Sequence, residues 1–178
     1  YYEFSHEPYT DLLKKYSNLI IVRTLSKALA SAGIRLGYTI SSPDFIKELQ
    51  KVTLPYLINQ FSLVSASIAL KDDSFKEFIA KTVEAVTAER ERLYTILTQY
   101  SSRQNRFVVY PSQANFLLTQ WSEQEDFNRF QARLTSNYIC LRNVSQPFLP
   151  RSLRWTVGKK EENNKVLKVL ESFFSQEA

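Results

Sequence analysis

The sequence predicts an α/β protein whose second half forms a small α/β domain of its own. Three observations carry that expectation. Short β-branched apolar runs read as strands, one helical period persists from about residue 72 to residue 100, and short strands then alternate with helices to the end.

Residues 9–17 suit a short helix, and residues 18–22 (NLIIV) read as a buried strand of the kind found in parallel sheets covered on both faces. Residues 37–41 give a second short strand. Ser42-Pro43-Asp44 then starts a helix, with a hydroxyl cap and a proline in its first turn. Leu54-Pro55-Tyr56 breaks the pattern, and residues 60–70 (QFSLVSASIAL) read as a buried helix. Phe75, Phe78, Ile79, Val83, Val86, Leu93, Ile96, Leu97 and Tyr100 keep helical spacing and predict one long amphipathic connector. Beyond it, strands are expected at 106–110 and 114–119, a helix at 123–135, strands at 138–141 and 153–157, and a closing helix through Phe174. The domain boundary is placed near residue 83, giving domains 1–82 and 83–178.

Composition excludes several classes. With 178 residues, 44% hydrophobic, the chain can bury a real core, yet no apolar run approaches the roughly 18 residues of a membrane span. One cysteine, Cys140, rules out an intrachain disulfide framework, and a cytoplasmic setting is the plainer expectation. The formal charge of +5 comes from lysines and arginines interleaved with acids, so a solvated basic surface is expected, not a nucleic-acid site. His6 is solitary, and no metal site is expected. The chain starts at Tyr1 and contains no methionine, which predicts an upstream part. Glycine is scarce: three residues, where about 7% usage would supply roughly twelve. All three (Gly33, Gly37, Gly158) fall in two short segments.

One of those segments carries chemistry. In residues 22–38 (VRTLSKALASAGIRLGY) a strand ends in Thr24 and Ser26 flanking a leucine, followed by Lys27. Eight positions later Arg35 stands between Gly33 and Gly37. Two hydroxyls and a guanidinium make an anion site, since arginine binds phosphate through a planar fork. A desolvated lysine beside a second cation is an amine nucleophile for an aldehyde. Phosphate plus aldehyde describes pyridoxal phosphate (PLP).

The segment resembles the T/S-x-S-K-x(5)-G-x-R-x-G-Y signature of the fold-type-I PLP-dependent aminotransferases, most closely the histidinol-phosphate aminotransferase branch. Tyr1-Tyr2-Glu3-Phe4 is similar to the end of that branch's D-E-A-Y-x-x-F motif, and Pro111–Phe116 (PSQANF) to its P-S-x-A-N-F strand. Leu153–Gly158 (LRWTVG), with Lys160-Glu161-Glu162-Asn163, resembles its L-R-I-T-V-G-x-x-E-E-N ending. The resemblance implies the C-terminal part of the fold-type-I large domain followed by the small C-terminal domain.

It also implies roles. Lys27 would condense with the cofactor aldehyde and then move the proton at the substrate α-carbon. Thr24, Ser26 and Arg35 would hold the cofactor phosphate, and the Tyr1 hydroxyl would bond its phenolic oxygen. Arg154, with Arg142 as a second cation, would grip the substrate's carboxylate or phosphate. Tyr56 and Asn59 are read as structural, and Asn115 either keeps the family's site position or is a polar strand-end residue satisfying backbone groups. The implied reaction is amino transfer between L-histidinol phosphate and 2-oxoglutarate by a homodimer. Threonine-phosphate decarboxylase or another class I/II aminotransferase is the alternative, and a PLP-sensing transcription-regulator domain is an alternative of another class. The family's aspartate for the cofactor ring nitrogen belongs three positions before Tyr1, so the segment alone is expected to be inactive.

Overall fold

The computed structural model describes residues 1–7 and 9–175. The chain divides into two units, Tyr1–Val83 and Glu84–Ala178.

The first unit opens with a single helical turn, α1 (Tyr2–Ser5), and a 3₁₀ segment, Tyr9–Lys14. Strands β1 (Ile21–Thr24) and β2 (Gly37–Ile40) form an antiparallel pair, with Thr24 opposite Gly37 and Arg23 opposite Tyr38. This corrects the expected strand at 18–22: pairing starts at Ile21 and runs antiparallel, and Val22 is 74% exposed.

Helix α2 (Pro43–Val52) begins as its sequence dictates, because the Ser42 hydroxyl accepts the Phe45 N–H and Pro43 fills the first turn. Helix α3 (Gln60–Lys71) is capped by Asn59, whose side-chain oxygen accepts the Ser62 N–H at 2.9 Å. The helix forms where expected, but it is not buried. Only Ser62 and Ala66 are inside, while Phe61 is 88% exposed.

Helix α4 (Asp73–Gln104) is the long connector. The Asp72 carboxylate accepts from the Ser74 hydroxyl and the Phe75 N–H at its start.

The second unit is a four-stranded antiparallel sheet in the order β3-β4-β6-β5, built from β3 (Phe107–Tyr110), β4 (Phe116–Trp121), β5 (Arg142–Asn143) and β6 (Ser152–Thr156). Helices α5 (Gln124–Ser136) and α6 (Lys160–Ser175) complete it. Alternation along β4 places Leu117, Thr119 and Trp121 inside, where Trp121 stacks on Phe107 and Phe130 at 5.1 and 4.8 Å. The Trp155 indole N–H, also buried, donates to the Thr119 hydroxyl at 2.9 Å.

The expected strand at 138–141 is absent. Tyr138 adopts φ 57° instead and closes α5, with the Ile139 N–H reaching back to the Leu134 carbonyl. That left-handed closure satisfies the helix's last carbonyls and delays the strand to Arg142.

Candidate functional site

The lysine segment is a loop closed at its base. The Leu25 N–H donates to the Leu36 carbonyl and the Ser31 N–H to the Leu25 carbonyl, each at 3.1 Å. Leu25 and Ala28 are buried and act as anchors. Between them Ser26 is half-buried and Lys27 exposed, which corrects the expectation of a desolvated lysine. Apolar anchors on both sides of a polar pair fix the backbone while leaving the amine accessible. The Ser26 N–H donates to the Thr24 hydroxyl oxygen at 3.1 Å, so the two predicted hydroxyl residues are locked together at the strand end.

Arg35 closes the loop's far side. It caps a 3₁₀ turn, Ala32–Ile34, at φ 53°, with its guanidinium donating to the Ala32 carbonyl at 3.1 Å. A left-handed arginine is strained by its Cβ, and glycine would relieve it. An arginine in that conformation points to the side chain's use.

Gly37 has a steric reason: a Cβ at that position would lie 2.8 Å from the Arg23 carbonyl oxygen. Nothing crowds Gly33 within 4 Å. Among the described residues neither Lys27 nor Arg35 has a carboxylate partner.

Tyr1 precedes α1 and is half exposed, with its carbonyl accepting the Phe4 and Ser5 N–H groups. Glu3 pairs with Arg23 at 2.7 Å, a link that sequence reading missed because the two residues lie far apart in the chain. His6 sits at φ 56° at the end of α1, and the described residues contain no group able to hold a metal. Tyr56 is almost fully exposed, and Asn59 is the cap already described.

The second unit holds the two predicted anion-binding arginines. Arg142 on β5 and Arg154 on β6 are direct antiparallel partners, which places both side chains on one face. They line a concavity of about 670 Å³ together with Thr156, Gly158 and Asn163. The Arg154 guanidinium lies 5.4 Å from the Phe116 ring centroid, and its Nε is buried with no hydrogen-bond partner among the described residues. Like charges directly opposite one another are unfavourable, and an anion between them removes the penalty.

A polar network behind this rim was not anticipated. The Asn163 side chain donates to the Gly158 carbonyl (2.9 Å) and accepts its N–H (3.1 Å), while also donating to Glu89 (3.0 Å). The Arg92 guanidinium beside Glu89 holds that carboxyl below the usual carboxylate range, against the opposing effect of burial. Buried Arg90 donates to the Ala114 carbonyl at 3.1 Å, and the Asn115 carbonyl accepts the Val157 N–H. That bond is made by the Asn115 main chain and leaves the role of its side chain open. The sequence signal for Asn163 was its place in the Glu-Glu-Asn ending; Arg90 has none.

Residues 1–170 match the family described as aminotransferase class I and II. The chain belongs to that family. Histidinol-phosphate aminotransferase 1 of Carboxydothermus hydrogenoformans is 39% identical over 170 residues, covering 96% of this chain and 46% of the relative. The structure is similar to the histidinol-phosphate aminotransferase of Clostridium acetobutylicum, at TM-score 0.81 and 25% identity, over 96% of this chain and 51% of that one. The fold also matches the Sinorhizobium meliloti histidinol-phosphate aminotransferase solved in complex with pyridoxal-5'-phosphate, at TM-score 0.72 and 24% identity, over 91% of this chain and 42% of that one. The architecture is that of the fold-type-I aminotransferases, and the chain spans about half the length of the curated relatives it matches. No helix among the described residues is long and apolar enough to cross a membrane.

Proposed function

We propose that this chain is the lysine-bearing half of a PLP-dependent aminotransferase acting on L-histidinol phosphate and 2-oxoglutarate in histidine biosynthesis. Residues 1–82 are read as part of the cofactor-binding large domain and residues 83–178 as the small domain. The observation that carries the reading is the closed loop holding Thr24, Ser26 and exposed Lys27, with strained Arg35 on its far side. The donor set fits a phosphate ester bearing an aldehyde: two hydroxyls and a fork-shaped cation for the phosphate, an amine for the carbonyl, and no carboxylate to repel the anion.

PLP, when bound, supplies the electron sink that makes the substrate α-proton removable. The chain's residues do the rest. Thr24, Ser26 and Arg35 bind the phosphate, and Lys27 holds the cofactor and then carries the proton at the α-carbon. Tyr1 donates its hydroxyl hydrogen bond to the cofactor's phenolic oxygen. Arg154 and Arg142 receive the substrate's anionic end; two cations on one face suit a donor carrying phosphate and an acceptor carrying carboxylate. The names of the relatives support the histidinol-phosphate donor. We read the working enzyme as a cytoplasmic homodimer. Because the chain spans about half of its relatives, turnover is assigned to the whole protein and not to these 178 residues.

Titrating the chain with PLP tests the cofactor reading. A visible absorbance band of the lysine adduct is expected, lost in Lys27→Ala without a change in melting temperature. A band that survives Lys27→Ala refutes the assignment. A substrate screen of the full-length protein, with histidinol phosphate, threonine phosphate, aromatic amino acids and aspartate as donors, tests the substrate. Preference for any donor other than histidinol phosphate overturns that part.

A further inference from the structure

We propose that Arg23 is a positioning residue that fastens the Tyr1 segment to the strand carrying the lysine loop, and so sets how Tyr1 meets the cofactor. The inference rests on the reading of Tyr1 and Lys27 given above. Arg23 lies in β1, one residue before Thr24, and its guanidinium reaches back 20 residues to Glu3 at 2.7 Å. The same guanidinium lies over the Tyr2 ring, 4.1 Å from its centroid. Both members of the ion pair are largely withdrawn from solvent, with side chains 18% and 25% exposed, so the pair is less screened than a surface bridge.

The segment it holds cannot hold itself. Helix α1 is a single turn, without a side-chain cap at its N-terminus. One turn fixes several residues for very few hydrogen bonds, so it persists only through tertiary contacts. Among the described residues, buried Phe4 and the Arg23 guanidinium bridging Tyr2 and Glu3 supply such contacts. Arg23 is itself firmly placed. Its backbone pairs with Tyr38, and its carbonyl occupies the space that the missing Cβ of Gly37 leaves. The strand that presents Thr24, Ser26 and Lys27 therefore also dictates where Tyr1 stands. A lysine would keep the charge but lose the flat surface that covers Tyr2.

Amide hydrogen exchange in the unloaded chain tests the fastening without any cofactor. In Arg23→Ala the amides of Phe4, Ser5 and His6, which bond the Tyr1 and Tyr2 carbonyls, should exchange roughly tenfold faster or more, with unit Glu84–Ala178 unchanged. Arg23→Lys should recover part of that protection. Glu3→Gln, which leaves the contact with Tyr2, is the milder variant should Arg23→Ala fail to fold. Unchanged exchange in both Arg23→Ala and Glu3→Gln overturns the proposal.

The second arm follows the pH midpoint of the visible band after PLP addition. Tyr1→Phe should shift it, Arg23→Ala should shift it in the same direction, and the double variant should move it no further. Additive shifts would mean that Arg23 acts independently of Tyr1, and the proposal fails. If the wild-type chain gives no band at all, the cofactor reading fails, while the exchange comparison still decides whether Arg23 holds the segment.

Discussion

Arg35 allows strain and function to be separated in one experiment. Its backbone stands at φ 53°, where a Cβ costs about 1–2 kcal/mol. Replacement by alanine keeps that cost, and replacement by glycine removes it. Both variants lose the exposed hydrogen bond to the Ala32 carbonyl equally, so that loss cancels when they are compared. Glycine gives back about 0.4–1 kcal/mol through its more flexible unfolded chain. The balance leaves Arg35→Gly more stable than Arg35→Ala by about 0–1.6 kcal/mol, centred near about 0.8. For a unit the size of Tyr1–Val83 the central value is a difference of about 3–6 °C in melting temperature.

Function should not follow stability. Both variants lose a charged donor to the PLP phosphate, which is worth about 1.5–3 kcal/mol, or about 10- to 150-fold in PLP affinity. The two are measured side by side by calorimetric melting and by PLP titration at the visible band. An Arg35→Ala protein that melts at or above Arg35→Gly would refute the left-handed strain. Unchanged PLP affinity in both would refute the phosphate contact.

Gly37→Ala should destabilise by about 1–3 kcal/mol, because its Cβ meets the rigid Arg23 carbonyl. Gly158→Ala should cost less than about 1 kcal/mol, because the atom in its way is the mobile end of Glu162; chemical denaturation of both gives the ranking, and equal losses would contradict it. The depressed Glu89 carboxyl contributes stability that is complete above its unfolded titration range and lost as pH falls through its lower folded value. The melting-temperature gap between wild type and Glu89→Gln should therefore be full at pH 7 and close as pH falls below about 4; a gap that widens with acid would reverse the sign.

Local chemistry was legible wherever one short stretch contains both the signal and its partner. Ser42-Pro43, the apolar period of α4 and the hydroxyl-lysine spacing are all of that kind. What was missed depends on partners distant in sequence. The register of β1 is set by Gly37 opposite Thr24, so the strand lies three residues beyond the start that its apolar run suggested. Tyr138 ends α5 in a left-handed turn that glycine usually marks, and a tyrosine there gives no warning. The Arg23–Glu3 pair and the Arg90–Ala114 contact join residues 20 and 24 apart, with no periodicity to announce them. Pairing of Arg142 with Arg154 became visible only once the sheet order was known, although each arginine had been singled out by its motif.

The two units differ in how far their own residues stabilise them, and this bears on the lysine loop. Residues from Leu93 to Phe174 form one aromatic-rich core in the second unit. Among the described residues of the first unit the buried apolar side chains are Phe4, Leu25, Ala28, Ala66 and Val83, and its sheet has two strands. A two-stranded pair is marginal on its own, and α3, apolar on most of its faces, leaves Phe61, Val64 and Ile68 exposed. Unit Tyr1–Val83 should therefore melt first. Both tryptophans, Trp121 and Trp155, lie in the second unit, so their fluorescence reports that unit alone, whereas far-ultraviolet circular dichroism also reads α2 and α3. In a guanidinium titration the dichroism should begin to fall before the tryptophan signal moves, and added PLP should delay the first phase without shifting the second. Coincident transitions by both probes would mean that the units unfold as one, and the weakness assigned to the lysine-bearing unit would be wrong.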